Sequence, residues 1–233
     1  MTTQFIPHGR VTWLAALLVC GILATAGAQA ETVVLGSSGW AATYDDSWIP
    51  YLSLIVDDVS DDTLYLQKSA EFVQPPVGGV FPPIPIQFHQ IAWPAVHRFM
   101  IVDEIITNST GCDWTDFHWL LLDGQDAVFN ADLTFASGFY TSPFDNQEFN
   151  ATCTLFSVDG FGLGEGGSDA IIPNGGVWFP GDGASDGELV IDVVPHEEEP
   201  YTVFTLKETP TPEPSAILLL GASLALIAGR RRS

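Results

Sequence analysis

Between residues 51 and 208 the chain keeps returning to short runs of β-branched and aromatic residues, and it lets none of them grow long. YLSLIVDDV, TLYLQ, IPIQFHQIAW, HRFMIVDEIIT, TDFHWLLL, LTFASGFY, EFNATCTLFSV, ELVIDVV and YTVFTLKE are such runs. Asp61-Asp62, Gly78-Gly79, Asn108 to Gly111, Asp123-Gly124, Asp159-Gly160 and Gly181 to Gly183 punctuate them. These are the residues that turn a chain between strands. Thr115, Phe117, Trp119 and Leu121 alternate with Asp116 and His118, and Leu189, Ile191 and Val193 lie opposite Asp192. A period of two marks strands buried on one face. No stretch within the run of strands holds a helical period for three turns. About nine short strands with close turns point to an all-β passenger, an antiparallel β-sandwich or jelly roll.

A very acidic chain invites the opposite reading, disorder. Trp40, Trp48, Trp93, Trp114, Trp119 and Trp178, with many Phe, Ile, Leu and Val, argue against it by supplying apolar surface to offset ordering entropy. QPPVGGVFPPIP at residues 74–85 reads as a long loop or crossover within one sandwich, because the forty or so residues before it make a poor core alone. Residues 159–187, rich in Gly and Asp, read as one exposed loop excursion, and no internal repeat suggests a propeller or β-helix. The formal net charge is −22. Within residues 31–208 only Lys68, Arg98 and Lys207 are cationic, against 28 of the 29 acidic residues, which makes −25 for that span. Such a field repels nucleic acid and anionic lipid and favours loose association with divalent cations.

Few constellations carry chemistry. Cys112 and Cys153, an even pair in a chain with an export leader, predict a disulfide. No histidine pair has metal-ligand spacing; His97 and His118, on neighbouring runs, are the pair to watch. Asp182, Asp186 and Glu188 stand at first, fifth and seventh positions of a Gly-containing turn, a surface Ca²⁺ candidate. Ala184 and Val193 at the third and twelfth positions rule out an EF-hand. Apart from that ion no cofactor is expected. GFGLGEGG lacks the lysine of a phosphate loop, and no GxSxG elbow occurs, so the expectation is no enzyme. Asn108-Ser-Thr110 and Asn150-Ala-Thr152 match a glycosylation sequon and read as turns.

The two ends add an itinerary. Arg10, the apolar WLAALLVCGILATAGA and then Ala28-Gln29-Ala30 follow the order of a secretory signal peptide cleaved after Ala30. The other end reads TPTPEPSAILLLGASLALIAGRRRS. Its prolines forbid a regular helix and predict an extended, exposed stem. Ser215 to Gly229 is apolar or small throughout; as a helix it spans roughly 22 Å, short of the roughly 30 Å hydrocarbon core. Arg230, Arg231 and Arg232 hold its end on the cytoplasmic side, which suits a transient hold on the inner membrane.

Pro212-Glu213-Pro214, an apolar helix and a terminal arginine cluster together resemble the PEP-CTERM sorting domain of Gram-negative bacteria. The resemblance implies cleavage near Pro-Glu-Pro by an inner-membrane exosortase and delivery to the outer surface or extracellular matrix. Ile106 to Leu121, ITNSTGCDWTDFHWLL, is similar to a segment of other PEP-CTERM passengers and implies no activity. The expected layout is a signal peptide at 1–30, a sandwich at 31–208 and a sorting segment at 209–233. The expected role is structural or adhesive in a biofilm or exopolysaccharide layer. The alternatives are a lectin-like module binding extracellular polysaccharide and, further off, a polysaccharide hydrolase.

Overall fold

Alternating apolar residues force each run to bury one face, and two sheets stacked face to face satisfy all of them together. The computed structural model describes residues 30–45, 52–122, 126–139, 141–160, 170–181 and 187–212. In chain order the strands are β1 (Ala30–Val34), β2 (Trp40–Asp45), β3 (Leu52–Ser60), β4 (Thr63–Phe72), β5 (Ile84–Gln90), β6 (Arg98–Asn108), β7 (Trp114–Leu122) and β8 (Ala127–Phe129). One short helix among the described residues, α1 (Ala131–Ala136), precedes β9 (Asn146–Phe149), β10 (Leu155–Asp159), β11 (Val177–Trp178), β12 (Leu189–Val193) and β13 (Val203–Pro212). A seven-stranded sheet has the order β1-β2-β5-β13-β7-β10-β9, and the facing sheet runs β3-β4-β6-β12-β8 with β11 also on β6. The all-β sandwich read from the sequence is what forms. One pair departs from the antiparallel rule: β4 and β6 run parallel.

Residues 74–85 make that parallel pair possible. They carry the chain from β4 in one sheet to β5 in the other, and β6 then returns beside β4. This is the crossover within one sandwich, anchored by buried Phe81. The β3–β4 hairpin turns on Asp61 and Asp62 at φ +50° and +63°, the left-handed pair that a two-residue loop between twisted strands requires. Gly39, at φ +82°, lies where an added Cβ would come within 2.7 Å of the Ala95 Cβ, so no side chain fits there.

The core holds two groups of rings. Trp40, Phe88, Phe99 and Phe204 pack mostly edge to face at one end. Phe72, Trp114, Phe117, Trp119, Phe156 and Trp178 form a longer chain at the other. Three expectations need correction. LTFASGFY, read as a strand, supplies the last four residues of α1 and the turn after it, because the Asn130 side chain caps a helix start by accepting from Leu133 N–H. The stretch 159–187 is not wholly an exposed excursion: Ala170, Ile172 and Trp178 are buried, and Ile172 bridges to Trp114. Its residues 161–169 lie outside the described part. The proline stem is not free either. Thr209 to Pro212 continue β13, paired along β7 to Trp114, with Pro210 and Pro212 buried.

Candidate functional site

The outer face of the β3-β4-β6 sheet carries a groove of about 300 Å³. Strand register builds it from two cross-strand rungs, Ile55–Gln67–Asp103 and Ser53–Ser69–Ile105. Phe179, just past β11, closes one side. Phe179, Ile55 and Ile105 remain 45 %, 55 % and 41 % exposed, so the groove offers apolar surface beside a carboxylate, an amide and two hydroxyls. Other exposed aromatics, Trp93 and Phe135, do not line it. There is no row of coplanar aromatic rings and no pair of facing carboxylates in it.

Behind the groove, pointing the other way, lies a buried ionic cluster. Lys68 on β4 and Glu104 on β6 are register partners facing the core, and Glu208 on β13 reaches them from the opposite sheet. The Lys68 Nζ stands 2.8 Å and 2.7 Å from the two carboxyl oxygens of Glu208 and in close contact with Glu104 Oε1. All three side chains are shut off from solvent. Trp119 Nε1–H donates to Glu104 Oε1 at 3.4 Å, while Glu104 Oε2 has no hydrogen-bond partner. Burial, opposed by Lys68 and reinforced by Glu104, pushes the Glu208 carboxyl up to about 7. The two carboxylates outweigh the desolvation of Lys68 and hold its ammonium above the usual lysine value.

The residues singled out in the sequence fare differently. Cys112 and Cys153 are free thiols, which corrects the expected disulfide. Cys112 precedes β7, while Cys153 precedes β10, whose Leu155 pairs with Leu120 at the far end of β7. At about 3.3 Å per residue the two lie roughly 30 Å apart, against a Cα limit of about 7 Å for a bridge. His97 and His118 do not converge either, because they belong to different sheets. His97 Nδ1 pairs with Asp62 at 2.7 Å beside Arg98, which pairs with Asp192 at 2.7 Å. Of the calcium candidates, Asp182 and Asp186 lie outside the described residues. Glu188 sits before β12, its N–H donating to Ser137 Oγ. Among the described residues no three His, Cys, Asp or Glu gather as a metal would need.

One arrangement was not legible in any motif. His118 Nδ1 stands 3.1 Å from Ser157 Oγ, and its Nε2 stands 3.6 Å from Asp116 Oδ1. Residue types alone would call this a nucleophile, a base and an orienting acid. The three lie across the outer face of paired strands β7 and β10, and β13 pairs with β7 on its other side. Backbone N–H groups there are spent on the ladders, so none is left to stabilise an oxyanion. The cluster is a cross-strand hydrogen-bonded patch.

β1 begins with Ala30, paired to Asp45, so the expected cleavage after Ala30 would remove one rung. Ala28 lies outside the described residues. So do Glu213, Pro214, the apolar run from Ser215 and Arg230 to Arg232. Among the described residues no helix is long and apolar enough to cross a membrane. No curated protein and no solved structure matches the chain. Residues 210–232 match the PEP-CTERM protein-sorting motif, so this chain carries at its C-terminus, beginning inside strand β13, the motif of an exported exosortase substrate.

Proposed function

We propose that the sandwich is displayed at the outer surface or in the extracellular matrix of a Gram-negative-type bacterium, where it acts by binding, structurally or adhesively, and not by catalysis. The sorting motif at the end of β13 carries this reading, since it makes the folded domain the cargo. The test compares the full chain with one ending at Pro212, in a host with an exosortase. Surface protease should reach the full chain alone. Equal surface display of both would overturn the proposal.

The groove favours a second reading, binding of neutral polysaccharide. Phe179 offers a ring for a sugar face, and Asp103, Gln67 and Ser69 offer hydrogen-bonding groups beside it. An anionic glycan is disfavoured by the net charge of −25 over residues 31–208. On a glycan array the full chain should retain neutral oligosaccharides and lose at least tenfold in affinity on Phe179→Ala. Retention unchanged by both Phe179→Ala and Asp103→Asn would remove the groove from the account.

A further inference from the structure

The Lys68, Glu104 and Glu208 cluster is an expensive way to hold two sheets together. With both carboxylates ionised it carries a net negative charge in a dry core, where desolvation rivals the attraction. Hydrophobic residues of similar volume would serve packing at least as well. The geometry asks what else three such groups do when locked together. The Lys68 nitrogen is held against both oxygens of the Glu208 carboxyl, 2.8 Å and 2.7 Å away, and a second carboxyl, Glu104, touches the same nitrogen. That is an amine, an acyl group and an acid–base group in mutual contact with water excluded.

We propose that Lys68 and Glu208 condense to an intramolecular amide, an isopeptide bond that joins β4 to β13 across the sandwich, with Glu104 as the proton-transfer group. The reaction starts from a neutral set: Lys68 as ammonium, Glu104 as carboxylate and Glu208 as carboxylic acid. The raised affinity of Glu208 for its proton favours this set. Glu104 takes a proton from the ammonium, and the freed amine attacks the Glu208 Cδ, forming the C–N bond. The tetrahedral centre passes the second nitrogen proton, by way of Glu104, to one Glu208 oxygen. That oxygen leaves as water. Glu104 ends protonated, so the product is neutral and no oxidant, reductant or activating nucleotide is consumed.

Two physical terms favour closure. Groups fixed in contact react at effective molarities on the order of 10⁵ M or more, far above what free amine and acid reach in water. The amide also removes an ion pair from a site that solvates ions poorly. Glu104 is positioned for its part by Trp119 Nε1–H on Oε1, the oxygen that touches the Lys68 nitrogen. The bond would fasten the strand that leads directly into the sorting motif, so load on the tail would pass to the second sheet through covalent bonds.

The test is peptide mapping of the purified full chain after denaturation. The expected product is a peptide uncut at Lys68 and joined to the peptide bearing Glu208, lighter by one water than the two separate sequences. Joined peptides are required because an Asp-Gly succinimide, as at Asp159-Gly160, also loses one water but joins nothing. Glu104→Gln should fold and leave Lys68 and Glu208 unjoined, or close them at least a hundredfold more slowly. Should that variant fail to fold, the wild-type map still decides. A wild-type chain cut cleanly at Lys68, with no joined peptide after prolonged incubation of the folded protein, overturns the proposal.

Discussion

Asn108 shows how much one side chain can hold. It is fully buried; its Nδ2 donates to the Cys112 and Ile172 carbonyls at 2.9 Å and 3.0 Å, and its Oδ1 accepts from Thr110 N and Oγ1. Asn150, in the other sequon, makes comparable bonds in a half-buried turn. Asn108→Ala strands several buried groups and should cost about 2–4 kcal/mol, against about 1 kcal/mol for Asn150→Ala, read by chemical denaturation. The sequence shows two equivalent turns; burial makes only one of them structural. Glu208 gives a second prediction, for chains whose triad is still ionic. The folded state holds the Glu208 proton up to about pH 7, the unfolded state to an ordinary 4.5. The resulting stabilisation is full below about 4.5 and is lost as pH rises through 7. Relative to Glu208→Gln, the uncrosslinked wild type should lose on the order of 3 kcal/mol between pH 4.5 and 8. A flat difference in such chains would refute the assignment.

Among the elements, β13 is where fold and sorting meet. It sits mid-sheet between β5 and β7, but β5 begins at Ile84 opposite Glu208, leaving Thr209 to Pro212 with β7 alone. An open flank is where a strand tolerates proline, and Pro210 and Pro212, two apart, turn their missing N–H to the same side. A chain ending at Pro212 should melt like the full chain. One ending at Glu208 uncovers Trp114 and Phe117 and should lose about 2–4 kcal/mol, seen as a drop in Tm. Most of the longer strands were legible because turn residues bounded each run, but β1, β2, β8 and β11 were not, and LTFASGFY, read as a strand, enters the helix α1 instead. The prolines misled, since their pattern excludes a helix but cannot exclude a one-sided strand. The triad was half legible. Lys68 lies in phase with Leu64, Leu66, Ala70 and Phe72, and Glu208 with Phe204 and Leu206. Glu104 does not fit, because the register slips between the Leu66–Ile101 and Gln67–Asp103 pairs, leaving Val102 unpaired and turning the rest of β6 over. Alternation read through that bulge sends Glu104 outward. The disulfide failed for a related reason: spacing along the chain says nothing about which ends of β7 the two cysteines flank.

For the whole molecule, charge is the term that composition fixes and topology does not change. Residues 31–208 carry −25, and of the three cations Lys68 is buried among carboxylates while Arg98 is paired to Asp192. The remaining carboxylates therefore repel one another in the compact state, and unfolding relieves that repulsion. Monovalent salt should stabilise the fold by screening within about 10 Å at 0.1 M. Calcium should do the same at matched ionic strength, since diffuse screening needs no site. A site at Asp182 and Asp186 would behave differently, adding RT ln(1 + [L]/Kd), a gain that persists at high salt and follows the calcium concentration. The measurement is Tm in millimolar Ca²⁺ against sodium chloride of equal ionic strength, for the wild type and for the Asp182→Asn, Asp186→Asn double variant. The expected result is one curve for both salts and a similar shift in both proteins. A calcium-specific rise lost in the double variant would show instead that a bound ion, and not diffuse screening, offsets the repulsion.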